Sequence, residues 1–209
     1  MNLSTSKSQY RLAGLCGEMW RTFCSTFCST FGLGLALCAA TLIGMPHAAI
    51  AQSVPPAVKS VLADASLSGS GTYKWFGLRL YEARLWVDKR KFSAANWTSS
   101  AFALELIYAR RLYGERIAVA SIDEIKKLGI GTSAQHEAWL AAMKKVFPDV
   151  EEGTQLTGLF VPGQPSRFFR DGQLIGEVPD PEFGLAFFGI WLNPRTSAPK
   201  LRAALLADK

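Results

Sequence analysis

Apolar and polar positions follow two different periods along this chain. From Leu67 to Tyr108 the apolar residues recur at every second position, the period of strands with one buried face. Thr72 to Phe76 is dense in aromatic and β-branched residues, which favour strands. Leu78 to Val87 places Tyr81, Leu85 and Val87 on one face, with Arg79 breaking the alternation. Gly77, between these runs, marks a bulge or a turn joining two paired strands. A polar connection, Ser93 to Ser100, leads to Phe102–Tyr108, where Phe102, Leu104 and Leu106 alternate with Ala103, Glu105 and Ile107. The period then lengthens to that of a helix. Gly114 to Leu128 carries Ile117, Ile122, Ile125 and Leu128, and Gly129-Ile130-Gly131 stops it. Ser121-x-x-Glu124 has the form of a capping box and predicts a second helix starting inside this stretch. Thr132 or Ser133 caps the next helix, whose face is Trp139, Leu140, Met143 and Val146.

Strand patterns return at Gln155 to Val161, Arg167 to Arg170 and Gln173 to Val178. Asp171-Gly172 between the last two is a strong two-residue hairpin signal. Asp180-Pro181 opens a helix with a cap and a proline at its first position, and Phe183, Phe187 and Ile190 or Trp191 form its apolar face. A final helix, capped by Thr196 or Ser197, carries Leu201, Leu205 and Leu206. Strands, helices, strands, helices is an α+β order and excludes the βαβ alternation of a dinucleotide fold. No internal repeat interrupts it, so residues 52–209 are expected to form one domain.

The first 51 residues have a different character. No Asp, Glu, Lys or Arg occurs from Thr22 to Val58, and Phe31 to Met45 is a 15-residue apolar run. Arg21 flanks it, Pro46 ends it, and Ala49-Ile50-Ala51 offers a small-x-small cleavage site before Gln52. Basic flank, short apolar core and Ala-x-Ala exit are the parts of a secretory signal peptide. The run falls short of the roughly 20 residues a spanning helix needs. Residues 1–51 are therefore expected to be a signal peptide directing the protein to the periplasm, with an uncleaved anchor as the alternative; Met19 could serve as the start as well as Met1. Membrane contact is expected through this segment only.

All four cysteines (Cys16, Cys24, Cys28 and Cys38) fall in that segment. Beyond it there is no Cys and a single His, His136, which excludes a disulfide scaffold, a thiolate nucleophile and a Cys/His metal site. No metal and no cofactor is expected. The whole chain has a net charge of +6, and residues 52–209 have 20 Lys+Arg against 16 Asp+Glu, dispersed rather than clustered. With export expected, nucleic acid is not a partner. No G-x-S-x-G, H-E-x-x-H, Walker loop or G-x-G-x-x-G is present. The chemistry left is an aromatic and cationic set on strands: Tyr73, Lys74, Trp75, Arg79, Tyr81, Arg84, Tyr108, Arg110 and Arg111. A sheet face under helices encloses a mostly apolar pocket with a few polar groups, which suits an amphipathic anion such as a fatty acid or a phenolic compound. Tyr73, Lys74, Tyr81, Tyr108 and Arg110 are the candidate ligand-binding residues; catalytic residues are not assigned. Alternation sends Tyr73 and Lys74 to opposite faces, and a bulge at Gly71 or Gly77 would bring Lys74 into the pocket.

Gly69-x-Gly71 followed by Tyr73 to Trp86, the string Tyr108-Ala-Arg-Arg-Leu-Tyr-Gly-Glu-Arg-Ile-Ala118 and Phe187-Phe-Gly-Ile-Trp-Leu-Asn-Pro-Arg-Thr-Ser197 resemble the exported branch of the bacterial chalcone isomerase-like family. The resemblance spans nearly all of residues 55–206. It implies an open-faced β-sandwich, a large antiparallel sheet with helices on one face and a ligand cleft between them. Plant members close a flavanone ring with an Arg, a Thr, a Tyr and an Asn. Here Tyr73 falls at the Arg position, with Lys74 beside it, Tyr81 at the Thr, Ile117 near the Tyr and Glu124 near the Asn. An ammonium cannot reproduce a guanidinium's planar fork. These departures argue against isomerase chemistry, and fatty-acid binding, as the resemblance implies for other branches, suits the residues better. An intramolecular lyase and an envelope protein-interaction module are the alternative functions.

Overall fold

The computed structural model describes residues 53–207; the segment expected to be the signal peptide lies outside them. The described residues make a compact unit with its own core. Its centre is a six-stranded antiparallel sheet in which neighbours in sequence are neighbours in space: β1 (Ala65–Trp75), β2 (Leu78–Asp88), β3 (Phe102–Tyr108), β4 (Gln155–Phe160), β5 (Ser166–Arg170) and β6 (Gln173–Val178). One face is covered by α2 (Gly114–Leu128), α3 (Ser133–Val146), α4 (Pro181–Leu192) and α5 (Pro199–Leu206), so the α+β, open-faced arrangement is the observed one. On the other face a short α1 (Pro56–Lys59) brings Val58 and Leu62 onto Trp86, Ala103 and Leu159.

The main core lies between sheet and helices. Ala83, Leu85 and Val87 of β2, Phe102, Leu104 and Leu106 of β3, and Phe160 and Phe168 of β4 and β5 point into it, as their alternation requires. Helix α4 meets them with Phe183, Phe187, Phe188 and Trp191, and because it is apolar nearly all round it is buried nearly all round. Asp180 caps it by accepting from the Glu182 backbone N–H (2.9 Å) and also accepts from Trp139 Nε1 (2.7 Å), tying α4 to α3.

Two expected helix starts differ from those observed. Helix α2 is continuous through Ser121, whose buried hydroxyl donates to the Ile117 carbonyl one turn back (2.8 Å) instead of capping a new helix. The last helix has Ala198 at its cap and Pro199 first. Thr196 Oγ1 instead donates to the Ile190 carbonyl (2.5 Å), and Ser197 Oγ donates to Glu124 (2.5 Å). Thr196 Oγ1 also accepts from the N–H of the cap residue Ala198 (3.1 Å), not from inside the helix. The expected cap of α3 is present: Thr132 and Gln135 form a reciprocal capping box.

Candidate functional site

The β1–β2 register positions the site. Tyr73 pairs with Tyr81, but Lys74 pairs with Arg79, leaving Leu80 as an extra residue on β2. Such a bulge lets two sequence neighbours serve the same side of a sheet. Leu80 and Tyr81 accordingly both line a cavity of about 670 Å³ between the sheet and helices α2 and α4. Its walls are apolar, with Leu104 and Leu106 from β3, Leu156 and Phe168 from β4 and β5, and Phe187 and Phe188 from α4. Gly158 also lines it, and Phe188 packs so closely there that a Cβ would lie 2.9 Å from its ring.

Three phenols cross the sheet inside this space. Tyr73 stacks on Tyr81 at 5.2 Å, and Tyr81 meets Tyr108 edge-on at 5.9 Å. The Tyr81 hydroxyl accepts a hydrogen bond from Trp191 Nε1 at 3.1 Å. Burial pushes the Tyr81 phenol far above its ordinary value, and the bond from Trp191 only partly offsets that. Tyr108, 3% exposed, is raised by burial alone, and its hydroxyl has no protein partner among the described residues. Among the described residues the buried side-chain polar atom without a partner is Ser166 Oγ, whereas Tyr108 is on the cavity lining, where its hydroxyl can meet a ligand atom. Tyr73 is raised by burial and by the nearby Glu124 carboxylate, with Lys127 opposing.

Charges gather where the cavity opens. Arg110, Arg111 and Arg116 line it with no carboxylate partner among the described residues, while Lys127 pairs with Glu124 at 2.7 Å. Arg111 and Arg116 lie over the Tyr113 ring at 5.4 and 5.7 Å. Of the residues expected in the site, Tyr73, Tyr81, Tyr108 and Arg110 line the cavity. Lys74 does not; it is exposed, because Gly71 stays in register, Gly77 forms the turn, and the bulge falls on β2 instead. Arg79 and Arg84 also face away and pair with Glu82, at 3.7 and 2.8 Å. Sequence reading did not find Arg116, Phe187, Phe188 or Trp191 as site residues. Trp191 reaches Tyr81 across 110 residues, and no local pattern announces such a contact. Among the described residues no group of three or more His, Cys, Asp or Glu could hold a metal ion.

The architecture is an antiparallel meander roofed by helices, with a mostly apolar cavity between them lined by three phenols and by exposed arginines. The profile of the chalcone isomerase-like family matches residues 50–207, and the chain belongs to that family. It is 26% identical over 138 residues to an uncharacterized protein of Haemophilus influenzae, a match covering 66% of each chain, so it spans just under two thirds of that relative. Among solved structures it resembles a fatty-acid binding protein of Arabidopsis thaliana, with a TM-score of 0.56 and 12% identity over 68% of this chain and 87% of that one. At that identity the likeness establishes the fold.

Proposed function

We propose that this protein is a non-catalytic carrier or sensor of a small amphipathic anion, with a long-chain fatty acid as the fitting class. The carrying observation is the cavity itself: apolar walls of acyl-chain character, with Arg110 and Tyr108 on the lining and neither an ion pair at Arg110 nor a hydrogen-bond partner at the Tyr108 hydroxyl among the described residues. Its volume lies within the range of about 300–1,000 Å³ usual for ligand sites. The fatty-acid binding described for the Arabidopsis structure on the same fold supports the reading. A carboxylate would accept from the guanidinium and the phenol, and charge-assisted bonds are about twice as strong as neutral ones.

Isothermal titration with palmitate tests this. The wild-type protein should bind one equivalent. Arg110→Ala should weaken binding at least about tenfold, equal to roughly 1.4 kcal/mol. Tyr108→Phe should weaken it less, and Lys74→Ala should leave it unchanged. Absence of saturable binding by the wild-type protein, or a loss confined to Lys74→Ala, would overturn the assignment.

A further inference from the structure

The turn joining β1 and β2 is built from an unexpected residue. It has two residues, Phe76 and Gly77, with φ of 46° and 78°. Turns with both central residues at positive φ favour Asn-Gly or Asp-Gly, because a side chain with a bulky Cβ substituent is strained there. Phe76 bears that strain without a packing return: it is 86% exposed, and its one ring contact among the described residues is Trp75, 4.7 Å away and itself 57% exposed. Leu78, across the turn, is 52% exposed. Local folding therefore does not explain Phe at this position.

The tip also projects. Pairing of β2 with β3 ends at Tyr81, with the Leu80 carbonyl held by the Ala109 N–H (2.9 Å), so on β2 Leu78 and Arg79 pair with β1 alone. Two strand residues extend about 7 Å, within the roughly 5–10 Å by which interfacial apolar groups enter the headgroup–acyl boundary. Trp is favoured at that boundary. Behind the tip stand cations without carboxylate partners among the described residues: Lys74 on β1, and Arg110, Arg111 and Arg116 at the cavity opening. Trp75 and Leu78 belong both to the exposed tip and to the cavity lining, so tip and opening are continuous.

We propose that the β1–β2 hairpin tip inserts Trp75, Phe76 and Leu78 into the surface of an anionic lipid bilayer, with the flanking cations against its headgroups and the cavity opening at the membrane. Three side chains of at most about 150–250 Å² each fall short of the roughly 800 Å² per partner of a stable protein interface. A lipid surface needs only a few inserted groups plus attraction of cations to anionic headgroups. Only the use of this docking, transfer of the ligand between bilayer and cavity, rests on the fatty-acid reading.

Flotation of residues 52–209 with liposomes tests the docking. The protein should float with vesicles of equal phosphatidylglycerol and phosphatidylcholine, and several-fold less with phosphatidylcholine alone. Phe76→Asn should reduce vesicle affinity at least about tenfold, the value of removing one buried aromatic side chain. The same substitution should keep or raise the melting temperature, by about 2–4 °C, because Asn tolerates the left-handed conformation. It should also bind palmitate in vesicle-free solution like wild type, since Phe76 is outside the cavity lining. Wild-type protein that does not float, Phe76→Asn that floats equally, or a Phe76-dependent dimer in place of lipid binding would overturn the proposal. Wild-type protein that floats through Phe76 but binds no palmitate supports the docking and removes the fatty-acid reading alone.

Discussion

At the scale of single residues, the least expected environment belongs to Glu105. Its place in the alternation of β3 sends it to the face opposite the helices, which in a one-sided sheet is the solvated face. It is nevertheless 3% exposed. Trp86, held under Val58 and Leu62, donates Nε1–H to its carboxylate at 3.1 Å, and Arg84 approaches to 3.9 Å. Burial raises the Glu105 carboxyl above its ordinary 4.5, and the Trp86 bond and Arg84 only partly pull it back. A raised carboxyl favours the protonated folded state, so its contribution is complete below 4.5 and is lost as pH climbs through the folded value. Glu105→Gln removes the ionisation and keeps an acceptor for Trp86. Urea denaturation between pH 4 and 8 should show the variant more stable than wild type at pH 7, with a flatter pH dependence above 4.5. A variant less stable at every pH would mean that the ion pair with Arg84 outweighs the burial of the charge.

At the scale of elements, the strands, the Asp171-Gly172 turn and helices α3 and α4 follow from local pattern, while Gly77, open as a bulge or a turn, is the turn. Failures came where a residue's partner lies far along the chain. Arg79 spoiled the alternation of β2 because Leu80 is a bulge, and the bulge puts Arg79 outside with Glu82 while keeping Tyr81 inside. Ser121 read as a cap because its intrahelical bond to Ile117 is invisible to a motif. Gly69-x-Gly71 is a similar case. Neither glycine has positive φ, and their role is to let α5 lie directly on β1. A Cβ at Gly69 would sit 2.0 Å from the Ala204 carbonyl oxygen and 2.7 Å from that of Leu205, and one at Gly71 would meet Leu201 Cδ1 at 2.7 Å. Backbone atoms cannot rotate away, so the helix itself must shift. Gly69→Ala should therefore cost about 3 kcal/mol, the upper part of the overpacking range. Gly77→Ala, which meets no atom within 4 Å, should cost only the strain of its positive φ, about 1–2 kcal/mol. Urea midpoints at constant m decide between them, and equal losses would remove the packing role assigned to Gly69.

At the scale of the whole molecule, half of the site was legible. Tyr73, Tyr81 and Tyr108 follow from strand alternation, Arg110 lies two residues past the end of β3, and the helical half depends on how α2 and α4 lie over the sheet, which no local pattern encodes. That half bears on whether the cavity binds or reacts. Proton transfer works best through groups that titrate near the working pH. Burial holds the Tyr81 and Tyr108 phenols well above their ordinary value, so at neutral pH neither gives or takes a proton readily. Tyr81 is further engaged by Trp191. Glu124, a carboxylate of the cavity lining, is occupied by Lys127 and Ser197. Ile117 presents no hydroxyl to order water, and the lining contains neither His nor Cys. What the cavity offers is a neutral phenol donor and fixed guanidinium charge, which suit a stable anion and supply no group that titrates near neutral pH. A hydroxychalcone presented to the protein should therefore bind in competition with palmitate, yet cyclise at no more than a trace above the uncatalysed rate when followed by the loss of chalcone absorbance. Turnover near the enzyme median of about 10 per second would mean that Asp123 or Glu124 acts as a base despite this arrangement, and that the cavity is an active site.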